Sequence, residues 1–356
     1  MTTNPFDADR PPELPRSQRR RGGSGGGRRR RDESLMVPDA SFDSYYGRNV
    51  VKPAPWKHDI ATYLFLGGLA GGSGLVGAGG AVTGRPALRR TGRYAAVASA
   101  ALGGIALVRD LGRPERALNM MRVAKLTSPM SVGSWILTAF SGFAGTALAA
   151  EVGRSVLPAD GTLGRALRFV DPAATAGTVA FSMPLAAYTA VLLADTATPT
   201  WRESHRELPF VFVGSANAAA AGLALVTTPA DQNGPARRLA AIGATVEVAA
   251  METLERRMHP LVAEPLRQGR AGTLLKAARA LTVGGALGAT LLGRNRPAAA
   301  LSGAALMAGS LLTRFGIFDA GIESAKDPKY TVQPQKERLA DRRARGTVGD
   351  SITTAQ

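Results

Sequence analysis

Eight stretches of this chain are long, apolar and rich in small residues, and the charges fall almost entirely between them. Pro172 to Ala194 and Leu208 to Ala230 carry no charge, and Ile60 to Gly84 holds no ionisable side chain apart from Tyr63. Lipid offers backbone amides no hydrogen-bond partner, so runs of this kind cross it as helices, each needing about 20 residues for roughly 30 Å of hydrocarbon. The expected fold is therefore all-α: a polytopic transmembrane helix bundle of about eight spans. They run from about Asp59 to Val82, Tyr94 to Val108, Met130 to Ala150, Pro172 to Ala194, Leu208 to Thr228, Leu239 to Leu254, Leu274 to Gly293 and Pro297 to Phe315. The second, sixth and eighth are marginal in length or polarity, which leaves room for seven spans or a re-entrant segment.

Polar tails flank this body. The expected organisation is a disordered basic tail over 1–44, a membrane domain over 45–325 and a polar tail over 326–356. The first tail combines the glycine run Gly22 to Gly27 with the arginine blocks Arg19 to Arg21 and Arg28 to Arg31. Such a composition cannot bury a core. No apolar core follows the arginines directly, so a secretory or twin-arginine leader is not expected. The net charge is +17. In a soluble chain that would suggest nucleic acid, but basic residues beside membrane helices set topology and meet anionic lipid. The expected partner is membrane lipid, with no nucleic acid. Short loops at both ends of the second span are basic, so the tails decide orientation. An even number of spans puts both termini on one side, and their charge favours the cytoplasm of a multi-pass cell-membrane protein.

There is no cysteine, hence no disulfide and no thiolate for an iron–sulfur cluster. The three histidines, His58, His205 and His259, all fall at helix ends or in loops, so no haem is expected. The glycines of the first span, Gly67 through Gly80, lower helix propensity in water, but in lipid they let helix backbones approach. No strand precedes them, so a nucleotide-binding loop is not expected.

With an even number of spans, one end of the bundle collects the unusual polar residues: Trp56, His58, Asp59 and Tyr63, then Asp110, Arg113, Asn119 and Arg122, and then Asp195, Trp201 and Arg202. Singly, each reads as interfacial anchoring, because Trp and Tyr favour the membrane edge and charges cap helix ends. Together they suit a quinone head group, whose carbonyls need donors and whose reduction needs protons. Glu247 stands apart, near the middle of the sixth span. A charge at that depth costs roughly 2.5–3.5 kcal/mol on insertion scales and usually faces the bundle interior. It reads either as a proton-transfer residue or as a partner for a nearby arginine.

Two segments carry a resemblance. Trp56-Lys57-His58-Asp59-Ile60-Ala61-Thr62-Tyr63 through Gly68 resembles the first-helix signature of the NrfD/PsrC-type (polysulfide reductase) membrane subunits. Asp110-Leu111-Gly112-Arg113-Pro114-Glu115-Arg116, continuing through Asn119 and Arg122 to Ser128-Pro129-Met130-Ser131-Val132-Gly133-Ser134-Trp135, resembles that family's most distinctive stretch. Ala325-Lys326-Asp327-Pro328-Lys329-Tyr330 is similar to the tail of some members. The resemblance covers roughly Tyr45 to Lys336.

It implies a haem-free subunit of eight helices that anchors a ferredoxin-like iron–sulfur subunit and a molybdopterin catalytic subunit, and that exchanges electrons with quinone, menaquinone or ubiquinone. Menaquinone is the expectation here. Asp59, Asp110 and Glu247 are then the expected proton carriers, and His58, Tyr63, Arg113, Asn119, Arg122 and Asp195 the expected quinone-binding residues. The family's first-helix acid is commonly Glu, so Asp59 reaches one methylene less far. The rival expectation is an ion- or proton-conducting transporter without a redox role, centred on Glu247 and Glu252.

Overall fold

A computed structural model describes residues 49–110, 114–158 and 161–346. The basic tail expected over 1–44, and Leu111 to Arg113, lie outside the described residues. The chain forms two compact units, one of which is 51–326. The other comprises 1–50 and 327–356, and its described part holds one long helix, α11 (Lys329–Ala344), so the polar C-terminal segment is helical for much of its length.

The described residues contain no strand. The unit 51–326 holds eight long helices, one for each expected span: α1 (His58–Val82), α2 (Pro86–Asp110), α3 (Pro129–Val156), α4 (Thr162–Ala194), α6 (Leu208–Thr227), α7 (Gly234–Arg257), α9 (Gly269–Leu292) and α10 (Arg296–Lys326). A 3-10 helix, Pro114–Met121, precedes α3, and two short helices, α5 (Pro199–Glu203) and α8 (Pro260–Arg267), link longer ones. Six helices, α1, α2, α3, α4, α6 and α10, are long and apolar enough to cross a membrane. The marginal pair is therefore α7 and α9, whose charges rather than their length set them apart. The second and eighth spans, expected to be short, are 25 and 31 residues long.

The helices alternate in direction. The end holding the start of α1, here the proximal end, also holds the ends of α2, α4, α7 and α10. At the distal end, two arginines close neighbouring helices by binding their last carbonyls. Arg296 donates to Leu225 O and Val226 O of α6. Arg237 donates to Ala289 O and Thr290 O of α9, at 2.9 and 2.7 Å. Such carbonyls have no partner within their own helix.

Helix α1 is the hub, packed on α2, α4, α6 and α10. A Cβ at Gly71 would lie 2.5 Å from Ser182 O of α4, and one at Gly72 would lie 2.6 Å from Ala216 O of α6. The glycine run is thus a seam of backbone contacts, as small residues provide in lipid. Gly72→Ala should destabilise the protein by about 1–3 kcal/mol through overpacking. Gly79→Ala, where no atom lies within 4 Å of the added carbon, should be near neutral. Thermal unfolding of the two variants in detergent checks the difference.

Candidate functional site

At the proximal end, the tips of four helices enclose a cavity of about 330 Å³. Each supplies side chains one turn apart, which share a helix face: Ile60 and Tyr63 from α1, Leu107 and Asp110 from α2, Met130 and Ser134 from α3, and Tyr188 and Leu192 from α4. The walls are mostly apolar. Gly133 makes the room, since a Cβ there would run into the Tyr188 ring. Tyr63 is 1% exposed, and its phenol oxygen has no hydrogen-bond partner among the described residues. A buried hydroxyl is normally satisfied, so this one stands out beside the cavity.

Of the residues singled out in the sequence, Tyr63 and Asp110 meet at this cavity, and Asp59, half-buried, sits one turn before Tyr63 on α1. His58 is directed elsewhere. Its Nε2 lies 3.1 Å from Asp319 Oδ1 of α10, and its ring stacks on Phe315. Asn119, Arg122 and Asp195 are exposed and do not line the cavity. Arg113 lies outside the described residues. Trp56 lines the cavity and stacks on Trp201, whose Nε1 donates to Ile317 O at 2.8 Å. Trp201 is a buried anchor that joins α5 to α10. Tyr188, Ser134 and Asp319 are not among the site residues expected from the sequence. The first two lie in apolar helices where only the register reveals the cavity-facing side.

A second polar centre lies inside the bundle. Glu247 of α7 is 5% exposed and accepts hydrogen bonds from Thr313 Oγ1 at 2.7 Å and Thr282 Oγ1 at 3.5 Å. It borders a chamber of about 360 Å³ whose walls include Val211, Val248, Met251 and Leu275. Arg314 of α10 is wholly buried nearby. Its Nη2 donates to Phe212 O at 2.7 Å, and its guanidinium lies 3.7 Å from the Phe212 ring centroid. Among the described residues, Nε and Nη1 of Arg314 have no hydrogen-bond partner. Gly68 admits it, because a Cβ there would lie 3.0 Å from Arg314 Nη2.

The distal end holds a network of ion pairs. Glu151 of α3 accepts from Arg89 at 2.7 and 3.0 Å, from Arg93 at 3.1 Å and from Arg90 at 3.3 Å. Asp171 of α4 pairs with Arg93 at 2.7 Å and with Arg154. Arg93, Glu151 and Asp171 are all buried. Among the described residues, no group of three His, Asp or Glu could hold a metal ion.

The fold and the cavity define an integral membrane protein of the polytopic helical class. The chain belongs to the NrfD polysulphide reductase family, whose model matches residues 48–250. That range contains every described residue of the proximal cavity and Glu247, whereas Thr282, Thr313 and Arg314 lie beyond it. No curated protein matches the chain.

Arg93→Leu removes the buried cation that Glu151 and Asp171 share and should lower stability by about 3 kcal/mol. Arg90, whose side chain is 59% exposed, should cost less than about 1 kcal/mol when replaced by Leu. Equal losses on thermal unfolding would contradict the network.

Proposed function

We propose that the chain is the membrane anchor subunit of a respiratory oxidoreductase complex with iron–sulfur and molybdopterin subunits, and that it exchanges electrons with quinone bound in the proximal cavity. The observation that carries this reading is the apolar cavity at the helix tips, lined by Asp110 and by Tyr63, whose buried phenol has no partner among the described residues. A quinone fits such a place. Its carbonyls accept hydrogen bonds, and its apolar ring and tail suit the Ile60, Leu107 and Leu192 walls. Bound there, it supplies the two-electron, two-proton chemistry, with menaquinone the expected type.

The chain's own residues bind and handle protons. Tyr63 donates its O–H to a carbonyl, which fixes the head group's orientation. Asp110, half-buried at the end of α2, holds a proton between cavity and water, and Asp59 is the second carrier on that path. The His58–Asp319 contact braces α1 against α10 beside the cavity. Asn119, Arg122 and Asp195, exposed at the same end, suit the surface on which an iron–sulfur subunit docks. Electrons must arrive from such a partner, because the chain has no cysteine to hold a cluster. In this reading the proximal end and both termini face the cytoplasm.

Tyr63→Phe and Asp110→Asn, made in the purified complex, should each slow quinone-dependent turnover about tenfold, equivalent to about 1.4 kcal/mol in the barrier. Turnover with a soluble dye acceptor at the partner subunits should not change. Wild-type quinone turnover in both variants would refute the site, and a chain that purifies without iron or molybdenum would refute the complex.

The burial of Glu247 beside a chamber favours a second reading, proton conduction through α7, either within that complex or as a transporter alone. In proteoliposomes with an imposed proton gradient, Glu247→Gln should then abolish the proton flux of the wild type. A wild-type protein without flux rules this reading out.

A further inference from the structure

Another space, apart from the proximal cavity, is lateral. Helix α7 packs on α6, and α9 on α10, and between α7 and α9 runs a groove of about 620 Å³. Ala244 and Val248 of α7 and Val283, Ala286 and Leu287 of α9 make its walls apolar. Ile242 and Leu287 are 59% and 55% exposed, as expected of a face turned to lipid.

Its charge is confined to one end. At the proximal end, Glu252 receives both Arg256 and Arg279, each at 3.0 Å. Two cations on one carboxylate leave positive charge unbalanced. Lys276, exposed and one turn before Arg279, adds to it and lines the adjoining chamber. From Arg279 the groove continues to Thr290, about 16 Å at the rise of an α-helix. One leaflet of hydrocarbon is about 15 Å deep, half of the roughly 30 Å core. Cations at the membrane edge above an apolar trough one leaflet deep match the proportions of a phospholipid.

We propose that this groove holds an anionic phospholipid of the proximal leaflet, with its phosphate on Arg256, Arg279 and Lys276 and one acyl chain between α7 and α9. The charge selects the head group. A zwitterionic lipid brings a cation of its own against three others, whereas an anionic lipid brings only negative charge to them. The depth selects the chain. The acyl chain also covers the walls of α7 and α9, the two long helices that are not apolar enough to count as membrane spans by themselves.

The test uses the full-length chain with any subunits that accompany it. It is extracted in mild detergent, exchanged against phosphatidylglycerol or phosphatidylcholine, washed, and analysed by native mass spectrometry for retained lipid. Phosphatidylglycerol should be retained at one molecule per chain, with a preference of about tenfold or more over phosphatidylcholine. Ala249→Phe places a ring in the groove from an exposed lining position and leaves the cations intact. The pair Lys276→Gln and Arg279→Gln removes cations and leaves the groove open. Each should reduce retention about tenfold, and Ala249→Phe should not change the melting temperature measured without lipid. Equal retention of the two lipids by the wild type would overturn the proposal without recourse to any variant. So would undiminished retention in both variants, or recovery of quinone or a second copy of the chain in place of lipid.

Discussion

The close approach of α1 to its neighbours is the constraint on which the rest depends. Gly71 and Gly72 bring its backbone against the carbonyls of Ser182 in α4 and Ala216 in α6. In lipid no hydrophobic effect drives helices together, so packing at this range supplies much of their association. The same helix carries Tyr63 to the proximal cavity, and through Gly68 it leaves room for the Arg314 guanidinium. Were α1 held a side-chain width further out, the cavity would lose a wall and Arg314 its close packing.

Polar groups then fall into three settings with different chemistry. At the distal end, arginines and two carboxylates satisfy one another and tie α2, α3 and α4 together. Around Glu247, threonine hydroxyls share the carboxylate, while Arg314 is left with donors unused. At the proximal cavity a phenol is left with nothing. Buried polar groups that are fully paired rigidify a structure, and those left incomplete are where a ligand or a proton has something to gain. The closed ion-pair network lies at the distal end and the unpartnered phenol at the proximal one.

The sequence made the fold class plain, because uncharged runs of this length leave little choice in lipid. What it concealed were the helix ends. Taking α2 from Tyr94 left Arg93 outside it. Ending α3 at Ala150 excluded Glu151, beginning α4 at Pro172 excluded Asp171, and ending α10 at Phe315 made Arg314 look terminal. All four are buried within longer helices. In each case a charge borders the most apolar run, although a charge with a partner across the bundle does not end a helix. Tyr63 and Asp110 were legible because they stand out from their surroundings. Tyr188 and Ser134 were not, since which residues of a small-residue helix face inward depends on its neighbours.

The distal network also bears on how the chain is made. Arg93 precedes its partners in the chain: Glu151 lies on the next long helix and Asp171 on the one after. A helix entering the bilayer ahead of the groups that neutralise it must keep its charge near the water until they arrive. Arg93 lies about 10 Å from the start of α2 at the helical rise, within reach of the surface for a long side chain. Glu151 and Asp171 enter close to the same surface, from the end of α3 and the first turns of α4. Their union lets all three withdraw from water together, so this ionic latch can close only once α4 is in place.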